Sequence, residues 1–461
     1  MTTHTRRLLR TLEDEGALIM YLLVQCASAT SSFTLNAAGR TWELEHFEPS
    51  TPVPGYSCVS YAWGVGKIAH PFGDGEISSR ALRVLEAAAR FASTDALWID
   101  ALCVPLDASE RQLTLRQLGS IYANAHEVLV VLSEAVQPLF DDCHADRVLS
   151  IDALRTLEQE LWVKRFWTYQ ELALAKELRF IIERGCSFAV AGMQFLNKVG
   201  EPLARARPSE LSALPAVDNL TDVLASWIHG YGQPFAYQIM AGLAQREAER
   251  AADRFNAVLG VIDPTANFTT SSDVNEASEQ FMARCEVRGD LSFVYARSLR
   301  STAPGRSWRP ECGELLPLLA WHTFGKGQQG TVFDSHAAFE DLHVEQQGSL
   351  SEQAANFIVH RSLQGTTGSG GQPLSMAAAQ ALAAMGASSL GPALELERGL
   401  FFPTQARRVS SEHLVLVASE VRWVHGAPAL LVEALPSRRY RCLDCGIFLG
   451  PTRPGTTLEI E

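Results

Sequence analysis

The sequence predicts an α/β protein built on a mainly parallel sheet with helices on both faces. Three observations carry this reading. Short apolar runs alternate with helix-patterned segments between residues 56 and 183. The connections between them are short. Ala96–Asp100 and His126–Leu132 read as buried, apolar strands, and the alternation favours a sheet covered on both faces. At roughly 150 residues per domain, the 461-residue chain has room for about three domains.

The elements follow in order. Arg6–Glu15 is patterned as a short helix, and Ala17–Cys26 and Ser32–Leu35 as strands. Thr41–Phe47 alternates Trp42, Leu44 and His46 with Glu43 and Glu45, which is the period of a strand. Residues 1–50 thus form an N-terminal β-containing extension, closed by the breaker cluster Ser50-Thr-Pro-Val-Pro-Gly55. Tyr56–Tyr61 is the next strand. Ser79–Ala92 is a helix with Leu82, Leu85 and Ala89 on one face, and Ala96–Asp100 is a buried strand. Arg111–Ala123 is a helix carrying Leu115, Leu118 and Tyr122, and His126–Leu132 is another apolar strand. Ile151–Leu161 and Thr168–Lys176 are helices, and Leu178–Ile182 completes an α/β domain over residues 51–190. Residues 191–330 read as a helical region broken by Pro202, Pro208, Pro215, Pro234 and Pro264. In residues 331–461, Gly365–Gly371 reads as a flexible loop. Apolar alternation then returns in Leu414–Val417, Arg422–Val424 and Ala429–Val432, predicting a small antiparallel β unit.

Charge and cysteine usage narrow the function. Lys plus Arg is 39 and Asp plus Glu is 52, a net charge of −13 with no long basic tract. Such a chain is a poor partner for nucleic acid or an anionic membrane surface. Small anionic ligands stay open, because a local nest or an Arg can hold them. Nine scattered cysteines read as reduced thiols. Ala17–Cys26 is too short to span a bilayer, and Glu13, Asp14 and Glu15 interrupt the signal-like pattern begun by Arg6, Arg7 and Arg10. The expectation is a soluble, cytoplasmic protein without a membrane span.

Several chemistries lack their motifs. Ser57 and Ser60 have no Gly-x-Ser-x-Gly elbow, and no Gly-x-x-x-x-Gly-Lys-[Ser/Thr] phosphate loop is present. No signature pairs Cys103 with His70 or His126 as a nucleophile, so it reads as a buried structural thiol. Cys442-Leu-Asp-Cys445 is half a zinc site without a second pair or a neighbouring His pair; it reads as structural, and no metal is expected.

Three segments in order carry a resemblance. They are Tyr56-Ser-Cys-Val-Ser-Tyr-Ala-Trp-Gly64, Leu97-Trp-Ile-Asp-Ala-Leu-Cys103 and Phe166-Trp-Thr-Tyr-Gln-Glu-Leu172. With Glu110, Gln117 and Ile121-Tyr-Ala-Asn-Ala125 between them, they resemble the heterokaryon-incompatibility (HET) domain of filamentous fungi. Weaker echoes follow in Asp253-Arg-Phe-Asn-Ala-Val-Leu-Gly260 and Ser307-Trp-Arg-Pro310. One departure is Pro105-Leu106, where the family usually has Asn-Gln; Asp107 remains. More distantly, Tyr56–Tyr61, His126–Ser133 and Trp167-x-x-x-Glu171 are similar to segments of Toll/interleukin-1-receptor (TIR) domains. The resemblance implies a TIR-like, flavodoxin-like fold and a fungal non-self-recognition effector of programmed cell death. It also implies self-association and a protein partner.

By the same resemblance, Glu171 matches the catalytic glutamate of TIR enzymes that cleave NAD, which makes NAD a candidate substrate and calls for no resident cofactor. Cleaving the nicotinamide–ribose bond builds positive charge at the anomeric carbon, and a carboxylate stabilises it. The same residues also read as a helix start. Thr168-x-x-Glu171 is a capping box, with Trp167 and Leu172 as a hydrophobic staple. Both readings stand at this point. Ser60, Tyr61, Trp63 and Gly64 follow the first core strand and fall where α/β sheets bind ligands. Tyr61 or Trp63 offers a ring for stacking, with Trp167 as a further candidate; these aromatics equally cover a sheet end. Lys67 is a phosphate candidate or a solvated surface lysine. Asp100 ends its strand and suits a ribose hydroxyl, a turn cap or an Arg partner.

Overall fold

The structure, a computed structural model, describes residues 20–26, 33–48, 51–185, 187–206, 210, 213–228, 234–264, 270–318, 327–362, 373–384, 387, 390–405, 409–421 and 426–461. The expected helix Arg6–Glu15, the loop Gly365–Gly371 and the strand Arg422–Val424 lie outside these residues. The chain divides into two compact units. Among the described residues, one takes in those from Met20 to Ile228 together with those of Gln245–Ser272, and the other those of His229–Ala244 and Asp273–Glu461.

The first unit is α/β. Its strands are β1 (Met20–Cys26), β2 (Thr34–Ala37), β3 (Arg40–Phe47), β4 (Ser57–Tyr61), the hairpin β5 (Lys67–Ala69) and β6 (Glu76–Ser78), β7 (Ala96–Ile99), β8 (Glu127–Leu132), β9 (Leu178–Ile182) and β10 (Val190–Ala191). The main sheet runs β10-β9-β8-β4-β7-β1-β3-β2. Its centre, β9-β8-β4-β7, is parallel. These strands read SCVSY, ALWI, EVLVVL and LRFII and are almost wholly buried, as strands covered on both faces must be. The strands of residues 1–50 do not stand apart. β1 pairs antiparallel with β7, and β3 and β2 extend the same sheet.

The order of the parallel strands positions the site. From β4 the chain goes to β7 on one side, then crosses back to β8 on the other. Numbered along the chain, the four strands lie 2-1-3-4. In sheets of this kind ligands bind beyond the carboxyl ends of the strands, where the order reverses. Here that is the end of β4 and its neighbours.

Helix details differ from the sequence pattern in informative ways. The Ala81–Phe91 helix buries Ala81, Val84, Leu85 and Ala88, which places Leu82 on the outside at 39% exposure. The predicted Arg111–Ala123 helix is two helices, Ala108–Arg116 and Leu118–Asn124, broken at Gln117. Asp107 caps the first by accepting from the N–H groups of Ser109 (2.9 Å) and Glu110 (3.0 Å). The second packs on the Asp253–Ile262 helix at two glycines. A Cβ on Gly119 would stand 2.6 Å from Cα of Gly260, so only glycine permits this approach. Gln170 bridges the same crossing. Its amide oxygen accepts from Gly119 N–H at 2.9 Å and its nitrogen donates to the Ala257 carbonyl. The echo segment Asp253–Gly260 thereby fixes the helix that carries Glu171.

The second unit holds the Ala236–Leu243 and Val274–Arg288 helices and an extensive sheet. Its strands run Gly330–Val332, Ala337–Glu345, Leu414–Ala418, Ala427–Ala434, Tyr440–Leu449, Gly399–Pro403 and Leu394–Leu396 in spatial order. Thr456–Ile460 pairs with both Ala337–Glu345 and Tyr440–Leu449, closing a circuit of strands. The C-terminal β unit is therefore larger than the sequence pattern suggested. Its core contains Phe401, Val415, Val417, Leu431 and Phe448. Trp308 of Ser307-Trp-Arg-Pro310 is fully buried against Phe293 and Phe339, so this echo is a core segment.

Candidate functional site

Polar groups gather at both ends of the parallel strands, with different chemistry. At the amino ends Glu127 is satisfied on all sides. It accepts from Ser57 (2.9 Å), from Ser93 through N–H (2.8 Å) and hydroxyl (2.7 Å), and pairs with Arg179 (3.1 Å). That cluster ties β4, β8 and β9 together and reads as structural.

At the carboxyl ends stand two carboxyls, Glu171 and Asp100, whose ionisation burial opposes. Ser60 is 1% exposed near the end of β4. Its hydroxyl donates to Oε2 of Glu171 and accepts from the Trp162 indole N–H at 2.6 Å. Glu171 is half-buried, and Tyr122, Asp100 and Arg165 act on its charge. Burial, aided by the Asp100 charge, pushes its carboxyl up to about 7 against the hydrogen bonds from Ser60 and Tyr122 and the pull of Arg165. Asp100, just past β7, is pushed up to about 6 by burial, opposed by the hydrogen bonds it accepts and by Arg165. It accepts from the Trp63 indole N–H (2.6 Å) and from the Ala101 N–H (2.6 Å). Two carboxyls, one from the turn after β7 and one from the Trp167–Ala173 helix, thus lie close enough for the Asp100 charge to act on Glu171.

The loop after β4 is clamped. Arg80 donates to the Ala62 carbonyl at 2.7 Å and forms an ion pair with buried Glu183, at the end of β9, at 2.7 Å. Gly64 turns the loop with φ +70°, a conformation that favours glycine. Lys67 stands 5.0 Å above the half-buried Trp63 ring, in cation–π contact. Tyr61 is buried, its hydroxyl has no hydrogen-bond partner among the described residues, and burial raises its pKa.

The structure thus brings together Ser60, Tyr61, Asp100 and Glu171, with Trp63 held on Asp100. Trp167 opens the same helix as Glu171 but makes none of these hydrogen bonds among the described residues. The capping-box reading is corrected. The helix is Trp167–Ala173, Phe166 occupies the cap without a side-chain bond, and Thr168 lies inside the first turn. The Thr168 hydroxyl is shared between the carbonyls of Trp162 and Arg165, both at 2.7 Å. Glu171, four residues past the helix start, faces Ser60 and not the helix N–H groups.

Trp162, Arg165, Arg80 and Glu183 were not singled out from the sequence, because no local motif marks them. Tyr122 lies within Ile121-Tyr-Ala-Asn-Ala125, which carried the resemblance without a role attached to it.

The cysteine candidates are structural. Cys103 is buried, its thiol hydrogen-bonded to the β7 backbone and pushed up to about 12 by burial. Cys442 and Cys445 are buried thiols, and Cys445 donates to the Ala296 carbonyl at 3.1 Å. Among the described residues no group of three or more His, Cys, Asp or Glu side chains is placed to hold a metal ion. None of the helices among them is long and apolar enough to cross a membrane.

Residues 56–150 match the family model described as heterokaryon incompatibility protein (HET). No curated protein and no solved structure matches the chain. The matched residues include β4, the Trp63 loop, Asp100 and Tyr122, and end before Trp162 and Glu171. Residues 56–150 are thus similar to the HET domain, and this matched segment contributes the Ser60, Trp63 and Asp100 part of the site.

Proposed function

We propose that this protein is a cell-death effector that hydrolyses NAD, with Glu171 as its catalytic carboxylate. The observation that carries the reading is the placement of Glu171. It is held by Ser60 at the carboxyl end of the central parallel strand, beside a second carboxyl, Asp100. The similarity of Trp167-x-x-x-Glu171 to TIR enzymes supports the same assignment.

The chemistry follows from charge. In NAD the nicotinamide ring is cationic, so breaking its bond to C1′ releases a neutral leaving group and leaves positive charge on the ribose. The ionised Glu171 stabilises that charge as it develops. Water adds to C1′ and loses a proton, giving nicotinamide, ADP-ribose and one proton. Asp100 accepts from a ribose hydroxyl, and the Trp63 face takes a flat ring. The experiment is nicotinamide release by purified, concentrated protein supplied with NAD, comparing wild type with Glu171→Gln.

A second reading draws on the same hydrogen bonds. Ser60 and Tyr122 satisfy Glu171 internally, as they would a purely structural carboxylate. The domain would then signal through its surface, recruiting other proteins. Toxicity that persists in Glu171→Gln cells, with no nicotinamide released by either protein, favours that reading.

A further inference from the structure

The donor and acceptor inventory around Ser60 fixes the direction of a hydrogen-bond relay. An indole offers one N–H and no acceptor. Trp162 Nε1 lies 2.6 Å from Ser60 Oγ, so the serine accepts there. Its single proton is left for its other partner, Oε2 of Glu171. Trp162 is fully buried and edges against Phe180, with 5.7 Å between ring centroids. Its carbonyl accepts from Thr168, in the first turn of the Glu171 helix, at 2.7 Å. The indole thus reaches the carboxylate through Ser60, while the Trp162 backbone is tied to the first turn of the Glu171 helix through Thr168. Ser60 itself is a poor nucleophile in this setting, because it is enclosed and one of its lone pairs is engaged by the indole.

We propose that Trp162 and Ser60 are positioning residues: the indole commits the serine proton to Glu171 and so keeps that carboxyl oriented and ionised. The proposal rests on the reading of Glu171 as the NAD-cleaving carboxylate. The relay has work to do because the surroundings pull both ways. Asp100, Arg165 and Arg246 are the charged groups acting on this carboxyl, and Cys58, Tyr61 and Tyr122 are the titratable ones beside it. Burial and Asp100 favour the neutral acid, whereas a hydrogen bond donated to the charged form opposes them. Ser60→Ala deletes the donor. Trp162→Phe keeps the ring but frees the serine proton to turn elsewhere.

The test has two readouts. Glutamate is labelled with 13C at its carboxyl, and Glu171 is titrated by NMR in the full-length protein, its signal assigned by its loss in Glu171→Gln. Nicotinamide release is measured over the same pH range. Ser60→Ala is expected to move the Glu171 titration, and with it the acid limb of activity, upward by about one pH unit. Trp162→Phe is expected to move both in the same direction by less, and Ser60→Thr to restore the wild-type curve. A Glu171 titration identical in wild type, Ser60→Ala and Trp162→Phe overturns the relay even where NAD is cleaved. A shifted titration in protein that releases no nicotinamide upholds the relay and overturns only the NAD assignment.

Discussion

The indole N–H of Trp63 lies 2.6 Å from Oδ2 of Asp100, tying the loop after β4 to the turn after β7. Asp100 thus holds an aromatic side chain and also raises the pKa of Glu171. The two roles separate by substitution. Asp100→Asn keeps an oxygen for the indole but removes the charge, and should shift the acid limb of nicotinamide release to lower pH. Asp100→Leu removes both, and should in addition weaken NAD binding by about tenfold, corresponding to loss of roughly one hydrogen bond to a charged group. pH–rate profiles of both variants check this.

Glu171 also makes a stability prediction. Its folded pKa, about 7, lies above the ordinary carboxylate value because of burial. Its contribution is therefore fully present at low pH and is lost as pH rises through about 7. Glu171→Gln avoids that loss. The melting temperature of the variant should gain on wild type by about 2–4 °C between roughly pH 5 and pH 8. Parallel curves would contradict the buried setting of the carboxyl.

The Arg80–Glu183 pair should be costly to break. Both side chains are largely buried, at 14% and 6% exposure, and Arg83 reaches Glu183 only at 3.3 Å. Arg80→Ala leaves the carboxylate poorly compensated and should cost about 3 kcal/mol in denaturant unfolding. Arg80→Ala combined with Glu183→Ala should cost less than the sum of the two single changes.

The glycine crossing is equally testable. Gly119→Ala places a methyl group 2.6 Å from the Gly260 backbone, which cannot move aside as a flexible side chain would. It should destabilise by about 1–3 kcal/mol. Because Gln170 bonds Gly119 from the helix that carries Glu171, nicotinamide release should fall as well. Thermal unfolding and the release assay read the two effects separately.

Much of the architecture was legible because a parallel sheet writes itself as apolar runs. β9 was expected at Leu178–Ile182 and is found there. Less was legible where tertiary contacts override local pattern. Thr168-x-x-Glu171 has the sequence of a capping box, but Thr168 instead serves the carbonyls of Trp162 and Arg165. The helix therefore begins one residue earlier and turns Glu171 toward Ser60. The break at Gln117 was hidden for a similar reason. Leu115, Leu118 and Tyr122 keep helical spacing across it, and the demand for close approach comes from Gly260, far along the chain. Ser60, Trp63 and Asp100 could be placed together because each ends or follows a parallel strand. Trp162 could not, since its role depends on which hydroxyl its N–H meets.

The most direct measurement is free nicotinamide released from NAD by purified protein at high concentration, followed in wild type and in Glu171→Gln. Release by wild type, with a fall of at least about hundredfold in a folded Glu171→Gln, is the predicted result. Equal release by both proteins, or none by wild type while its toxicity survives the substitution, would contradict the account.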